Sequence, residues 1–454
     1  MSDKLIVCKF GGSSVADATQ IRKIANIIKN NRSRRYVIVS APGKRFIRDI
    51  KITDLLYKCV EKRDRHKNFD KEYEIVEGRF IETVQELMPK NDALIHYVKI
   101  FFKKLKKHML DEATKDYIVS RGEYMNALII ANYLGYKFID AGTIIWFDKE
   151  GKLNKELTRL AISKTLQEYK YAVLPGFYGH GIDGNIKTFP RGGSDTTSTW
   201  VAMATEANVC EIWTDVDGMY MANPKIIPEA KVIKDISYWE TRELGYSGAV
   251  VLAPDAILPV MEANIPINIR NTNNPEHRGT MVVKEKESNG DIVTGIAGRK
   301  NFAIITLNKI GLHEEKGIIR KFAEIFEKNC VSIEHPLDSM DTITVVVKQE
   351  TLKNENTLQK IQKQICEVFE VSEENIKLEA DIALITVVGA RMAYTPGIAG
   401  KIFTALGNAA INVRMINQGP SEINIIIGVA NKNYEKAIRA IYNKFFKKMA
   451  PQTI

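Results

Sequence analysis

Short apolar runs alternate with amphipathic stretches through the first two-thirds of the chain. Residues 5–10 are apolar apart from Lys9 and end in Gly11-Gly12. A helical spacing follows, with Ile21, Ile24, Ile27 and Ile28 on one face. Residues 36–39, a β-branched run, and residues 171–174, 209–213 and 266–270 read as four more short strands. Each closes in a polar, Gly or Pro turn: Ser40-Ala41-Pro42-Gly43, Pro175-Gly176, Thr214-Asp215 and Asn271-Thr272-Asn273-Asn274-Pro275. Strands separated by helical segments predict a mostly parallel sheet with helices on both faces. Ligands of such sheets bind beyond the carboxyl ends of the strands, which is where these turns fall.

Residues 45–125 interrupt the alternation and read as an inserted helical subdomain. They are basic, with Lys58, Lys62, Arg63, Arg65 and Lys67, then Lys99, Lys103, Lys104, Lys106 and Lys107 around Ile100-Phe101-Phe102. A nucleic-acid patch is one reading. The helical spacing favours the other, a solvated face on helices whose apolar side packs inward.

The last third repeats itself. Residues 316–326 align with 396–406 at an offset of 80, which also pairs 331–333 with 411–413 and 343–347 with 423–427 without a gap. Each copy reads strand, glycine turn, helix, strand, hairpin, strand. That is a small α/β sandwich, occurring twice.

Composition narrows the function classes. At 454 residues, 45% hydrophobic and 26% charged, the chain is an ordinary globular one of about three domains. Sixty-five Lys and Arg against 55 Asp and Glu give a net charge of +10, which attracts phosphates, carboxylates or nucleic acid alike. The cysteines (Cys8, Cys59, Cys210, Cys330 and Cys366) form no C-x-x-C pair, so neither a disulfide framework nor a zinc ribbon is supported. With no apolar run of about 18 residues and no basic start before an apolar leader, a cytoplasmic location without membrane association is expected.

Four segments carry candidate chemistry. In Lys9-Phe10-Gly11-Gly12-Ser13-Ser14, the glycines admit a ligand close to the backbone, and N–H groups before a helix bind phosphate oxygens. Lys9 adds a charge able to neutralise a transferring phosphoryl group; a tight strand-to-helix turn explains the pattern equally well. Phe189-Pro190-Arg191-Gly192-Gly193-Ser194-Asp195 opens a helix expected from Thr196. Asp195 could cap it, yet a cap needs neither the planar fork of Arg191, suited to a carboxylate, nor the hydroxyl of Ser194. Ser120-Arg121-Gly122-Glu123 precedes a helical run beginning at Tyr124. Glu123 there either meets a substrate ammonium or complements the helix dipole from its first turn. Thr214-Asp215-Val216-Asp217-Gly218-Met219-Tyr220 either holds a nucleotide or is an Asp-Gly turn.

Taken together, these segments resemble the amino-acid kinase family, and within it the aspartate kinases. The resemblance spans the chain: V-x-K-F-G-G-S-S, S-A-P-G-K-R, Ile52-Thr53-Asp54, S-R-G-E, F-x-R-G-G-S-D, W-T-D-V-D-G, I-x-I-x-N-T-N-N-P-x-x-x-G-T, and a repeat similar to paired ACT domains. It implies a three-layer α/β sandwich with a mostly parallel central sheet at 1–298, comprising an aspartate-binding lobe to about 185 and an ATP-binding lobe from about 186. Two ferredoxin-like ACT domains would follow at 299–375 and 376–454. The implied reaction is ATP-dependent phosphorylation of the L-aspartate side chain, the first step of lysine, threonine and methionine biosynthesis.

By the same resemblance, Lys9, Gly11 and Gly12 face the phosphates, and Asp195 orients the lysine or the backbone. Ser13, Thr53, Glu123, Arg191 and Ser194 hold aspartate, with Arg191 on its α-carboxylate and Glu123 on its ammonium. Thr214, Asp215, Tyr220 and Lys225 border ATP, whose phosphates carry Mg²⁺; no protein metal cage is implied. The first ACT repeat implies an amino-acid effector, lysine before threonine, at Gly317, Ile318, Ile319, Ser332, Ile333, Glu334 and Ser339. It also implies a homo-oligomer, dimer or tetramer, built through the ACT domains. Departures fall in the nucleotide half: Val250 stands where lysine is frequent, Ala253 where histidine is, and Asn223-Pro224-Lys225 replaces Asp-Pro-Arg. Two rivals are a relative acting on glutamate, acetylglutamate or a carbamate, and a catalytically lapsed sensor or nucleic-acid-binding protein.

Overall fold

The five anticipated strands are neighbours in one sheet. A computed structural model describes residues 4–111, 113–190, 192–249, 251–286, 291–353 and 356–447; Arg191 and Val250 lie outside the described residues. The chain opens with β1 (Ile6–Phe10), α1 (Ala18–Lys29) and β2 (Arg34–Val39), then the insert α2 (Ile52–Asp64), α3 (Asp70–Leu87), α4 (Asp92–Asp111) and α5 (Lys115–Leu134). Next come β3 (Lys137–Phe138), β4 (Trp146–Phe147), α6 (Lys155–Gln167), β5 (Ala172–Pro175), β6 (Tyr178–Gly181), β7 (Ile186–Thr188), α7 (Gly193–Ala204) and β8 (Val209–Thr214). β9 (Asp235–Ser237), α8 (Tyr238–Tyr246), α9 (Leu258–Glu262), β10 (Ile267–Asn271) and β11 (Thr280–Val283) follow.

The main sheet runs β3-β5-β2-β1-β8-β10-β11-β9, parallel except for the β10–β11 pair. Its register aligns the strand ends: Phe10 lies opposite both Val39 and Trp213, Val39 opposite Pro175, and Thr214 opposite Asn271. The polar turns therefore share one edge of the sheet. Val7, Cys8, Val37, Ile38, Val39 and Val173 are all buried, as expected of parallel strands covered on both faces. The Asp17 carboxylate caps α1, accepting from the Gln20 N–H at 2.9 Å. Buried Ile21, Ile24, Ile27 and Ile28 turn that helix onto the core.

The insert packs as amphipathic helices. Tyr73, Val76, Phe80, Val98, Phe102 and Leu105 are buried, with Phe80 and Phe102 stacked at 5.4 Å. Lys99, Lys103, Lys104 and Lys107 are exposed, and Lys106 pairs with Asp70 at 2.8 Å. These charges form the solvated-face arrangement. The last insert helix runs to Leu134, past the expected limit near 125.

The chain forms two compact units: residues 4–219, 232–245 and 251–286, and residues 220–231, 246–249 and 291–447. The second contains β12 (Gly295–Asn308), α10 (Ile318–Lys328), β13 (Ile333–Asp338), β14 (Thr342–Lys348), α11 (Thr357–Phe369), β15 (Ile376–Val388), α12 (Ile398–Asn408), β16 (Val413–Asn417), β17 (Asn424–Ala430) and α13 (Tyr434–Phe446). All pairings of its sheet, β13-β14-β12-β15-β17-β16, are antiparallel.

β12 and β15 each serve both repeats. Phe302–Asn308 of β12 pairs with β14, whereas Gly295–Arg299 pairs with the end of β15 that carries β17. The halves of both strands meet at a left-handed residue, Asn301 (φ 68°) in β12 and Asp381 (φ 57°) in β15. The backbone N–H of each is held by a side-chain amide oxygen at 3.2 Å, from Asn431 and Gln349 respectively. The expected domain boundaries thus fall inside or beside shared strands. The gapless offset also needs correction. Ala303 pairs with Val347 and Ala383 with Val429, so the equivalence shifts from 80 to 82 across a longer second hairpin.

Candidate active site

The tip of β1 is packed backbone against backbone. The Gly11 N–H donates to the Trp213 carbonyl at 3.0 Å, and the Gly43 N–H to the Gly12 carbonyl at 2.8 Å. A Cβ on Gly43 would lie 2.6 Å from the Gly12 carbonyl carbon, so only glycine lets the two turns touch. Lys9 points toward α7, and its Nζ meets Asp195 Oδ1 at 2.6 Å with both side chains only 12% exposed. Asp195 is therefore a lysine partner and not the cap of α7. Gly192 occupies the cap position at φ 60°, where a Cβ would come within 2.3 Å of the Ala253 Cβ. Gly176, beyond β5, approaches Ser194 so closely that a Cβ would lie 2.6 Å from its Cα.

Glu123 requires a different account from the first-turn alternative. Its helix begins at Lys115, not near Tyr124, and is capped by Thr114, whose hydroxyl accepts from the Tyr117 N–H. Glu123 lies well inside α5, where the N-terminal dipole does not reach. Only 5% of it is exposed, and its Oε2 has no hydrogen-bond partner among the described residues. Burial pushes its pKa up to about 8, against opposing hydrogen bonds from the Ala41 backbone and the Thr53 side chain. Gly122 makes that approach possible: a Cβ there would lie 3.0 Å from the Ala41 Cβ and 3.1 Å from Ile52 Cγ2. Ala41 also links this group to the first turn, since a Cβ on Gly12 would sit 3.0 Å from its carbonyl oxygen.

Arg121 has a structural role, its guanidinium lying over the rings of Tyr117, Tyr124 and Tyr178 at 4.5, 4.8 and 5.0 Å. Three other residues had no individual role in the sequence reasoning. Asn126 donates to the Ser40 carbonyl at 2.7 Å, holding the loop over α5. Thr272 donates to Ser14 at 2.7 Å, beside half-buried Ser13. Asp217 accepts from Asn271 at 2.8 Å and Asn274 at 3.1 Å, tying the tips of β8 and β10. No local pattern separates such loop ties from ordinary polar turns.

Thr214 ends β8 and donates to Asp215 at 3.2 Å. Gly218, at φ 141°, could not accept a Cβ, which would lie 2.4 Å from Thr280 Oγ1. Lys9, Gly11, Gly12, Ser13, Ser194, Asp195, Thr53, Glu123, Thr214 and Asp215 all belong to the first unit, whereas Tyr220 and Lys225 belong to the second. Lys225 is exposed, its N–H donating to Asn223 Oδ1 at 3.0 Å.

A family model described as the amino acid kinase family matches residues 4–271, more than half of the chain. The chain belongs to the amino acid kinase family. Over 97% of its length this kinase is 32% identical to Aspartokinase 3 of Bacillus subtilis (strain 168), covering 98% of that protein. It is 26% identical to the Lysine-sensitive aspartokinase 3 of Escherichia coli (strain K12), covering 98% of this chain and all of the other. The crystal structure of Clostridium acetobutylicum aspartate kinase superposes with a TM-score of 0.85 at 42% identity, covering 97% of this kinase and 100% of that chain. An ACT-domain model matches residues 385–445.

In the C-terminal repeat of this kinase, Gly317 and Gly397 immediately precede α10 and α12 at φ 73° and 82°, a left-handed conformation that favours glycine. Ile318 and Ile319 follow Gly317, and Ser332 precedes Ile333 on β13, an edge strand. Ser339 begins the tight hairpin, its N–H donating to the Thr342 carbonyl at 2.9 Å. Glu334 is already engaged: its side chain, 6% exposed, lies 3.1 Å from Arg299 and 3.8 Å from Lys348. It also accepts from the Tyr246 hydroxyl at 2.7 Å. Burial first, and then this carboxylate, push the Tyr246 pKa up to about 12.

Proposed function

We infer that this chain is an aspartate kinase, transferring the γ-phosphoryl group of ATP to the side-chain carboxylate of L-aspartate to give 4-phospho-L-aspartate and ADP. The observation that carries the reading is the Lys9–Asp195 ion pair at the β1 tip, between two glycine turns. A carboxylate is already a nucleophile at neutral pH, so the reaction needs positioning and charge neutralisation rather than a strong base. One aspartate oxygen forms a bond to the γ-phosphorus as the bond to the ADP oxygen breaks. Lys9 stabilises the charge on the transferring group, Asp195 holds the ammonium in place, and the Gly11-Gly12 turn admits the phosphates.

Aspartate recognition is assigned to Ser13, Thr53, Glu123, Arg191 and Ser194, with Glu123 on the ammonium and Arg191 on the α-carboxylate. Thr214 and Asp215 border ATP, with Tyr220 and Lys225 as further candidates. Among the described residues no three His, Cys, Asp or Glu side chains gather as a metal site. Mg²⁺ is assigned to the nucleotide phosphates, as is common for this ion, and the chain's part is to hold the nucleotide.

Feedback control through the ACT repeats belongs to the same reading. An amino-acid effector would use the Gly317 turn and the β13 edge, completed by a second copy of the chain. Lysine is the first choice, given the lysine-sensitive relative, and threonine the second. No helix among the described residues is long and apolar enough to cross a membrane, compatible with a cytoplasmic enzyme. Trapping the product as its hydroxamate tests the activity. Aspartate with Mg-ATP should give hydroxamate and stoichiometric ADP, whereas glutamate, acetylglutamate and carbamate should not. No hydroxamate from aspartate would overturn the reading.

A further inference from the structure

A cavity of about 380 Å³ lies in the first unit, apart from the Lys9–Asp195 pair. Its lining includes Lys23, Asn26 and Asn30 of α1, Arg34 at the start of β2, Trp213 of β8 and Arg270 of β10. This is the lower part of the size range of small-molecule sites, roughly 300–1,000 Å³. The charges around it do not balance. Arg34 takes the buried Glu211 carboxylate as a fork, at 2.7 Å through Nε and 3.1 Å through Nη2. Trp213 Nε1, at 2.9 Å, and the Cys8 thiol, at 3.4 Å, donate to the same carboxylate.

Arg270 is left with little of it, its Nη1 being 3.8 Å from Glu211. Its close partner is the Pro275 carbonyl, at 2.5 Å, and its buried Nε has no acceptor among the described residues. Desolvation lowers its pKa, so the environment resists a cation that is nonetheless placed there. The two guanidinium groups lie over the Trp213 ring at 5.2 and 4.7 Å, and Lys23 adds a third positive charge, its Nζ 2.8 Å from Asn273 Oδ1. Among the described residues of the lining, the only carboxylate is that of Glu276. Two arginines sharing one carboxylate in a partly buried setting leave uncompensated positive charge, which an anion would offset.

We propose that this cavity is a second ligand site of the chain, separate from the catalytic one, that takes a small oxyanion bearing phosphate or carboxylate groups between Arg270 and Lys23. Asn26 and Asn30 supply further polar groups at its edge. The site communicates with the catalytic turn. Thr272, also in the lining, donates a hydrogen bond to Ser14, so the link to the segment carrying Gly12 and Ser13 runs through that one side chain.

Calorimetric titration of the full chain with inorganic phosphate, and separately with citrate, tests the proposal and separates the two sources. Arg270→Gln should weaken binding of the preferred anion at least about tenfold, as expected for losing a charge-assisted contact. Lys23→Gln, an exposed change that spares the fold, should weaken it several-fold, whereas Lys9→Ala should leave it within about twofold. Anomalous scattering from a tungstate soak should place the ion beside Arg270. Binding lost in Lys9→Ala but kept in folded Lys23→Gln and Arg270→Gln would overturn the assignment. So would failure of both anions to bind the unmodified chain.

Discussion

Replacing Glu123 by Gln should strengthen the fold while weakening the enzyme's hold on aspartate. The folded protein raises this carboxyl from its ordinary 4.5 to about 8, chiefly through burial. The gap of roughly 3.5 units corresponds to about 5 kcal/mol by proton linkage. The sign follows from which state binds the proton. Between the two pKa values the folded chain keeps it and the unfolded chain does not, so stability falls as pH rises through that window and levels above it. The neutral amide of the Glu123→Gln variant carries no such burden. The stability gap between variant and parent should therefore widen by about 2–3 kcal/mol from pH 6 to pH 8, roughly 5 °C in Tm for a unit of this size. Aspartate binding reverses the logic, because an ammonium needs the ionised carboxylate. The KM for aspartate in the parent should rise as pH falls below about 8, approaching tenfold per unit, with a proton released on binding. Thermal scans and initial rates at four pH values between 6 and 9 suffice. A parallel pH slope in both proteins, or a flat aspartate KM, would refute the buried-carboxylate argument.

Lys9→Ala should lower kcat by about 10²–10³, the usual scale for losing one preorganised charge at a transition state; near-normal hydroxamate formation would remove Lys9 from the chemistry. Gly192→Ala combines a φ of 60° with a Cβ contact of 2.3 Å to Ala253. It should cost more than about 2 kcal/mol by urea unfolding, and an undisturbed variant would mean that the α7 turn is looser than described. Glu334→Gln breaks the carboxylate's hold on Arg299. It should raise the lysine concentration for half-inhibition about tenfold while leaving the uninhibited rate within twofold, and unchanged inhibition would place the effector elsewhere.

The sheet edge was legible because its signals are local: an apolar run, then a glycine or polar turn, five times over. Lys9 and Asp195 were singled out separately, and only parallel register brings their strand and helix together. The pattern puts Glu123 just before a helical run from Tyr124, whereas Gly122 lies inside α5 at the point where that helix closes on Ala41 and Ile52. Strand sharing was hidden for a different reason. A strand of 14 residues gives one continuous pattern, and nothing in it marks the change of partner at Asn301. The Arg34–Glu211 pair joins residues 177 positions apart, beyond the reach of any short-range pattern.

The exchange of strands between the two C-terminal sandwiches bears on how they can be cut and how they melt. A fragment ending near residue 375 would lack the segment of β15 that pairs beside Ile304–Leu307, leaving an unpaired apolar edge prone to self-association. A fragment beginning at 376 would forfeit the Gly295–Arg299 segment in the same way. Neither module is a transplantable cassette. They should lose structure in a single transition, so that a molecule stiffening one also steadies the other without touching it.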